Sequence, residues 1–136
     1  MAGSVLVDSG FLVALLSNRD SDHEWAHGIA KRYAPPWMTC DAAVSETLYL
    51  LHPYGTTPLA ELIKRGALSS TFRFNDSAVE VLQLMLKYEA VPMAFADACL
   101  VRMTEIFPDP ILLTTDPDFN VYRRHGRQAI PCVMPA

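Results

Sequence analysis

Short, wholly apolar runs alternate with longer stretches in which apolar residues recur every three or four positions. Val5 to Val7 is a β-branched run suited to a buried strand, and it ends at Asp8. Ser9-Gly10 predicts a turn, with a helix starting in FLVALL. SDHEWAHGIAKRYA predicts a second helix, with Ser21 or Asp22 as cap and Trp25, Ile29 and Tyr33 on one face; Pro35-Pro36 ends it. WMTC predicts a short strand, followed by a helix over about 41–52. Pro53, Gly55 and Pro58 mark a loop before a helix in PLAELIKRGAL, which Gly66 would cap. A short strand is predicted near 71–74. Asn75 or Asp76 would cap SAVEVLQLMLKYEA, with Val79, Leu82 and Leu86 as its core-facing line. After Pro92 come a helix over 94–107, a buried strand ILLTT, a short helical or turn segment DPDFNVYRRHG, and an edge strand in AIPCV.

This alternation predicts an α/β fold: three layers, with a central, mainly parallel sheet flanked by helices, in a single domain over 1–136. In such sheets ligands bind beyond the carboxyl ends of the strands. Four carboxylates interrupt or close the apolar stretches: Asp8 after VLV, Glu46 in AAVSETLYLL, Asp97 in MAFADACLVRM, and Asp116 after ILLTT. Asp8 and Asp116 each follow a predicted strand, so both should lie on one edge of the sheet. At about 100° per residue Asp97 shares its helix face with Leu100, Val101 and Thr104, and Arg102 points about 140° away. Glu46 has Ala42, Ala43, Tyr49 and Leu50 as helical neighbours, so no intrahelical ion pair is open to it. Burying an unpaired carboxylate costs several kcal/mol or more. Four such acids with no evident basic partner point to a site for a divalent cation.

Composition narrows the class. The chain is 51% hydrophobic and 19% charged, within the globular range. No apolar run approaches the roughly 18–20 residues of a membrane span. The opening MAGSVLVDSG has no cationic region, which argues against a signal peptide. Cys40, Cys99 and Cys132 are an odd number without metal-binding spacing, and read as reduced thiols of a cytoplasmic protein. The net charge of −4 argues against broad electrostatic binding of nucleic acid, although two divalent cations would bring it to zero. Arg123, Arg124 and Arg127 form the one basic cluster without a nearby acid. Their closeness to Asp116 in sequence suggests a groove for RNA beside the acids, and a solvated surface explains them equally well.

VLVDSGFLVALLSNRDSDHEWA resembles the opening of a PIN domain, the nuclease fold of VapC-type toxins. The resemblance continues through TCDAAVSETLYLL, MAFADACLVRM and LLTTDPDFNVYRRHG, in the family order and over almost the whole chain. It implies that Asp8, Glu46, Asp97 and Asp116 are the catalytic acids and hold Mg²⁺ or Mn²⁺, with Asp118 assisting Asp116. Ser9 and Thr114 match the small hydroxyl residues that accompany the first and fourth acids. Phe11 and Leu12 depart from the smaller or Pro-containing turn often seen after the first acid. The resemblance further implies cleavage of RNA, a cognate antitoxin protein and a homodimer, with no membrane partner.

The chemistry of the residue types agrees, because Mg²⁺ is hard, prefers oxygen and keeps several waters. Taken singly, each acid has a plainer reading. Asp8 and Asp116 could be helix caps, Glu46 a surface residue, and Asp97 a cap for a helix starting nearer Cys99. Trp25, Trp37 and Tyr49 read as core, and the His23/His27 pair as a solvated face. The alternative function is a PIN-like module without catalysis that binds RNA or protein. A phosphorylation-receiver domain fits poorly, because it needs paired acids at the first strand and a Lys near the last.

Overall fold

The structure, a computed structural model, describes residues 3–136. Strand β1 (Ser4–Val7) lies at the centre of a five-stranded parallel sheet. It is flanked by β2 (Trp37–Thr39) and β4 (Pro110–Leu113), with β3 (Leu68–Ser70) outside β2 and β7 (Cys132–Val133) outside β4. Six α-helices are found among the described residues. They are α1 (Ser9–Leu16), α2 (His23–Arg32), α3 (Asp41–Leu51), α4 (Thr56–Lys64), α5 (Ala78–Lys87) and α6 (Phe95–Ile106). The three-layer α/β expectation holds. None of these helices is long and apolar enough to cross a membrane.

Alternation along the strands explains why both sheet faces are covered. Leu6 and Leu112 point to a core shared with Val81 of α5 and with Leu100 and Met103 of α6. Val7 and Leu113 point the other way, to Phe11 and Leu12 of α1, Trp37, and Leu59 and Leu62 of α4. The unusual Phe11 and Leu12 are therefore packing residues, and Phe11 meets Trp37 edge-on at 5.3 Å. In β1 and β4 the register pairs Ser4 with Pro110 and Val7 with Leu113, so Asp8 and Thr114 leave the sheet side by side.

Several local expectations are corrected. The strand predicted near 71–74 lies earlier, at β3. Its ladder pairs Trp37 with Leu68 and Thr39 with Ser70, so pairing stops where β2 stops. Phe74–Ser77 is instead a 3₁₀ turn. The segment after Asp116 begins as a 3₁₀ turn, Pro117–Asn120, and then forms a small hairpin of β5 (Arg123–Arg124) and β6 (Gln128–Ala129), turned through His125 and Gly126 at positive φ. Only the end of AIPCV joins the large sheet, as β7. Helix α5 buries a different stripe from the one predicted. Val81 is fully buried and Leu84, Met85 and Tyr88 pack beside it, whereas Val79, Leu82 and Leu86 face solvent. The helix is apolar almost all round, so periodicity alone did not select the stripe. Trp37 is buried and Trp25 packs beside the core, but Tyr49, also read as core, is 82% exposed. Cys40 and Cys99 are buried free thiols, and Cys132 is half-buried.

Candidate active site

Parallel strands and their following helices place the predicted acids at one end of the sheet. Asp8 stands between β1 and α1, and Asp116 opens the 3₁₀ turn shortly after β4. Asp97 lies in the first turn of α6, and Glu46 halfway along α3. Together with Asp118, Ser9, Gly10 and Thr115 they line one open cavity of about 370 Å³. The lining carries five carboxylates and no Lys, Arg or His. None of the five is in an ion pair among the described residues.

Hydrogen bonds fix these acids in position. Asp8 is 4% exposed. Its Oδ1 accepts the Ser9 N–H at 2.7 Å, which makes it a helix cap, and its Oδ2 accepts the Thr114 hydroxyl at 2.8 Å. The Ser9 hydroxyl donates to Glu46 Oε1 at 2.9 Å, tying α1 to α3. Thr114 Oγ1 in turn accepts the Asp116 N–H at 3.0 Å, and Asp116 Oδ1 accepts the Asp118 N–H at 2.9 Å. Asp97 is 8% exposed, and its Oδ2 accepts the Tyr122 hydroxyl at 3.0 Å. The capping reading and the site reading of Asp8 and Asp116 are thus compatible, since one oxygen caps while the carboxylate still faces the cavity. The reading of Asp97 as a cap nearer Cys99 fails, because α6 begins before it.

Electrostatics follow from this crowding. Burial pushes the Asp8 carboxyl up to about 6, opposed by the donations from Thr114 and Ser9 and reinforced by Glu46 and Asp116. Burial, and next the neighbouring Asp8, push Asp97 up to about 7, against the Tyr122 hydrogen bond. Burial and the adjacent Asp97 push the Tyr122 phenol up in turn, so it stays a donor.

A hard divalent cation suits this donor set, which is all oxygen and lacks its own positive charge. Among the described residues no three side chains close into a ready-made cluster of metal ligands. That is the arrangement expected of mutually repelling carboxylates around an open cavity, and Mg²⁺ commonly uses only one or two carboxylates and keeps its waters.

Three predicted residues are not brought to the cavity. Arg124 donates to the Thr104 carbonyl near the far end of α6, and lines a separate hollow with Gly3, Val5 and Pro110 at the starts of β1 and β4. Arg123 donates to the Asn120 and Tyr122 carbonyls, and Arg127 is exposed in the hairpin. Closeness to Asp116 in sequence misled here, because the hairpin carries the chain back toward the opposite sheet edge.

Sequence reasoning missed Tyr122 and Gly10. Tyr122 is fully buried, with Phe119 and Tyr88 edge-on against its ring at 5.3 and 5.1 Å. Its position in a mixed polar segment carried no periodic signal. A Cβ at Gly10 would run into Thr115 Oγ1, so only glycine lets α1 approach the loop after β4.

The PIN domain, as a family profile, matches residues 5–124. The chain belongs to the PIN-domain family. PIN domains are typically nucleases and generally use a divalent metal. The crystal structure of Mycobacterium tuberculosis VapC20, described as a sarcin-ricin loop cleaving toxin, matches with a TM-score of 0.68 at 22% identity. That match covers 87% of this chain and 94% of the other. At that identity the likeness shows a shared PIN fold alone. No curated protein matches the chain.

Proposed function

We propose that this PIN domain is a Mg²⁺- or Mn²⁺-dependent endoribonuclease, the toxin of a toxin–antitoxin pair. The single observation that carries the reading is the cavity itself, in which five carboxylates meet without a cation at one edge of a parallel sheet. Structural stability gives no reason for that arrangement, since each buried acid costs free energy there.

Asp8, Asp97, Asp116 and Glu46 would hold the cation and Asp118 would support Asp116. Each of the four has lone pairs left after its hydrogen bond. Glu46 uses Oε1, Asp97 Oδ2 and Asp116 Oδ1 for protein donors, which leaves their second oxygens to the cavity. Ser9 and Thr114 orient the acids, and their hydroxyls can donate whatever the charge nearby. When bound, the cation supplies charge neutralisation on the phosphate and activation of a water. The carboxyls of Asp8 and Asp97, pushed toward protonation, must release their protons to accept it.

VapC20 is described as cleaving the sarcin-ricin loop, and that supports RNA as the substrate here. A cognate antitoxin and a homodimeric assembly belong to the same reading. The exposed Val79, Leu82 and Leu86 of α5 offer a seat for a protein partner. We take 1–136 as one domain acting in the cytoplasm. Arg123 and Arg127 lie outside the cavity and would meet only RNA that extends well beyond it.

A second reading, a PIN module without catalysis, is favoured by the lack of a closed ligand cluster among the described residues. Incubating purified protein with RNA and Mn²⁺, against an Asp8→Asn control, separates the two. Cleavage that needs both metal and Asp8 supports the nuclease. RNA binding without metal-dependent cleavage supports the module.

A further inference from the structure

Aromatic side chains stand in solvent on two sides of the carboxylate cavity. On one side Glu46, part of the cavity wall, also lines an adjoining depression of about 480 Å³ with Ser45, Tyr49 and Leu50. Tyr49 lies one helical turn beyond Glu46 and is 82% exposed. On the other side Pro92 and Ala94 form the wall, and the next residue, Phe95, is 40% exposed. Its ring meets that of the partly exposed Phe74 edge-on at 5.2 Å, which fixes its orientation. An apolar residue this exposed carries a cost that neither core explains, and both rings flank the acids.

Charge decides what could use them. Neither the cavity nor the adjoining depression is lined by a Lys, Arg or His. The arginine hairpin is turned toward the other end of the sheet. A polyanion reaching this cavity therefore finds no basic side chains to neutralise its phosphates, and its affinity must come from elsewhere. Stacking of a base on an aromatic ring supplies it without charge, but only when the base is unpaired and its face is open.

We infer that Tyr49 and Phe95 are base-stacking platforms on either side of the carboxylates, so that the chain selects unpaired RNA through ring contacts and not through basic side chains. This rests on the nuclease reading for the identity of the ligand. It adds to that reading a substrate class, an unpaired segment such as a loop, and a source of affinity. Binding should consequently respond little to salt. A single strand held by Z basic contacts gives a log K–log salt slope of about −0.7Z, and with no basic lining the magnitude should stay below about 1.

The experiment compares wild type, Tyr49→Leu, Phe95→Leu and the ring-retaining Tyr49→Phe and Phe95→Tyr. Binding of an unpaired RNA oligonucleotide and of a duplex is read by fluorescence anisotropy at several salt concentrations. Cleavage with Mn²⁺, Mn²⁺ affinity and molecular mass in solution are measured in parallel. Each leucine variant should weaken binding of the unpaired RNA by about 5- to 100-fold, in KM and not kcat. The ring-retaining variants should bind like wild type, and Mn²⁺ affinity should not move. Unchanged RNA affinity in both leucine variants overturns the inference while leaving the nuclease reading intact. So does a duplex bound as tightly as the single strand. A fall in mass without a fall in RNA affinity assigns this face to a second copy or another protein, and also overturns it. Binding without cleavage overturns the nuclease reading alone, since stacking is then read from anisotropy. Absence of any RNA binding by wild type overturns both.

Discussion

Asp97→Asn should make the metal-free protein more stable at neutral pH while removing its response to metal. Burial and the neighbouring acids raise the Asp97 carboxyl from 3.8 to about 7. The folded state therefore holds this proton more tightly than the unfolded state does. Stability from this group is fully present below about pH 4, and it is lost as pH rises toward and through 7. A shift of about three units at about 1.4 kcal/mol per unit sets a ceiling of ~4 kcal/mol on the loss. Solvent entering the open cavity screens part of it, which brings the expected cost to about 3 kcal/mol. Asparagine avoids ionisation and can still accept the Tyr122 hydroxyl, but its amide N–H₂ lacks a partner, at about 1 kcal/mol. The net gain at pH 8 is about 2 kcal/mol, equivalent to roughly 8 °C in Tm for a chain of this size. At pH 4 the two proteins should melt together. Adding Mn²⁺ at 100-fold over Kd should raise wild type by about 2.7 kcal/mol, leave the variant nearly unmoved and reverse their order. Thermal melts at pH 4, 6, 7 and 8, with EDTA and with Mn²⁺, test this. A variant less stable than wild type at pH 8 in EDTA, or two proteins equally raised by Mn²⁺, would refute the reasoning.

Three further outcomes follow from the same contacts. Tyr122→Phe takes away the one protein donor to Asp97 Oδ2; calorimetric titration should show Mn²⁺ affinity weakened about tenfold, and an unchanged Kd would show the hydroxyl to be mere packing. Gly10→Ala forces Thr115 aside and should lower stability by about 1–3 kcal/mol in urea unfolding; a neutral result would mean that the loop after β4 yields freely. Leu86→Glu places a charge on the exposed stripe of α5; light scattering should show a smaller assembly than wild type if a second copy sits there, and identical masses would remove α5 from the interface.

How much of this was legible in the sequence depended on whether a residue obeyed a periodic or a terminal rule. Asp8 and Asp116 follow buried strands, and parallel neighbours must end on the same edge, so their meeting was readable. Asp97 was readable because α6 is apolar on the face that carries it. Glu46 was placed correctly by an imperfect argument. Its apolar neighbours Tyr49 and Leu50 are exposed, so they signal a surface beside the site and not a core. The α5 stripe failed for a related reason, since a helix apolar on all sides gives no phase. Tyr122 and the arginine hairpin lie after the last long element, where two-residue strands and turns set direction. There only tertiary contacts, such as Arg124 with Thr104 and Tyr122 with Asp97, determine where a side chain goes.

The central claim is that the five-carboxylate cavity is a metal-dependent ribonuclease site. Its most direct test is mapping of cleavage on a defined RNA containing an unpaired loop, with purified protein in Mn²⁺ or EDTA, beside Asp8→Asn and Asp97→Asn. The account predicts discrete cleavage in Mn²⁺, none in EDTA, and a loss of at least a hundredfold in either variant, equivalent to about 2.7 kcal/mol or more of transition-state stabilisation. Cleavage that persists in EDTA, or at wild-type rate in both variants, would contradict it.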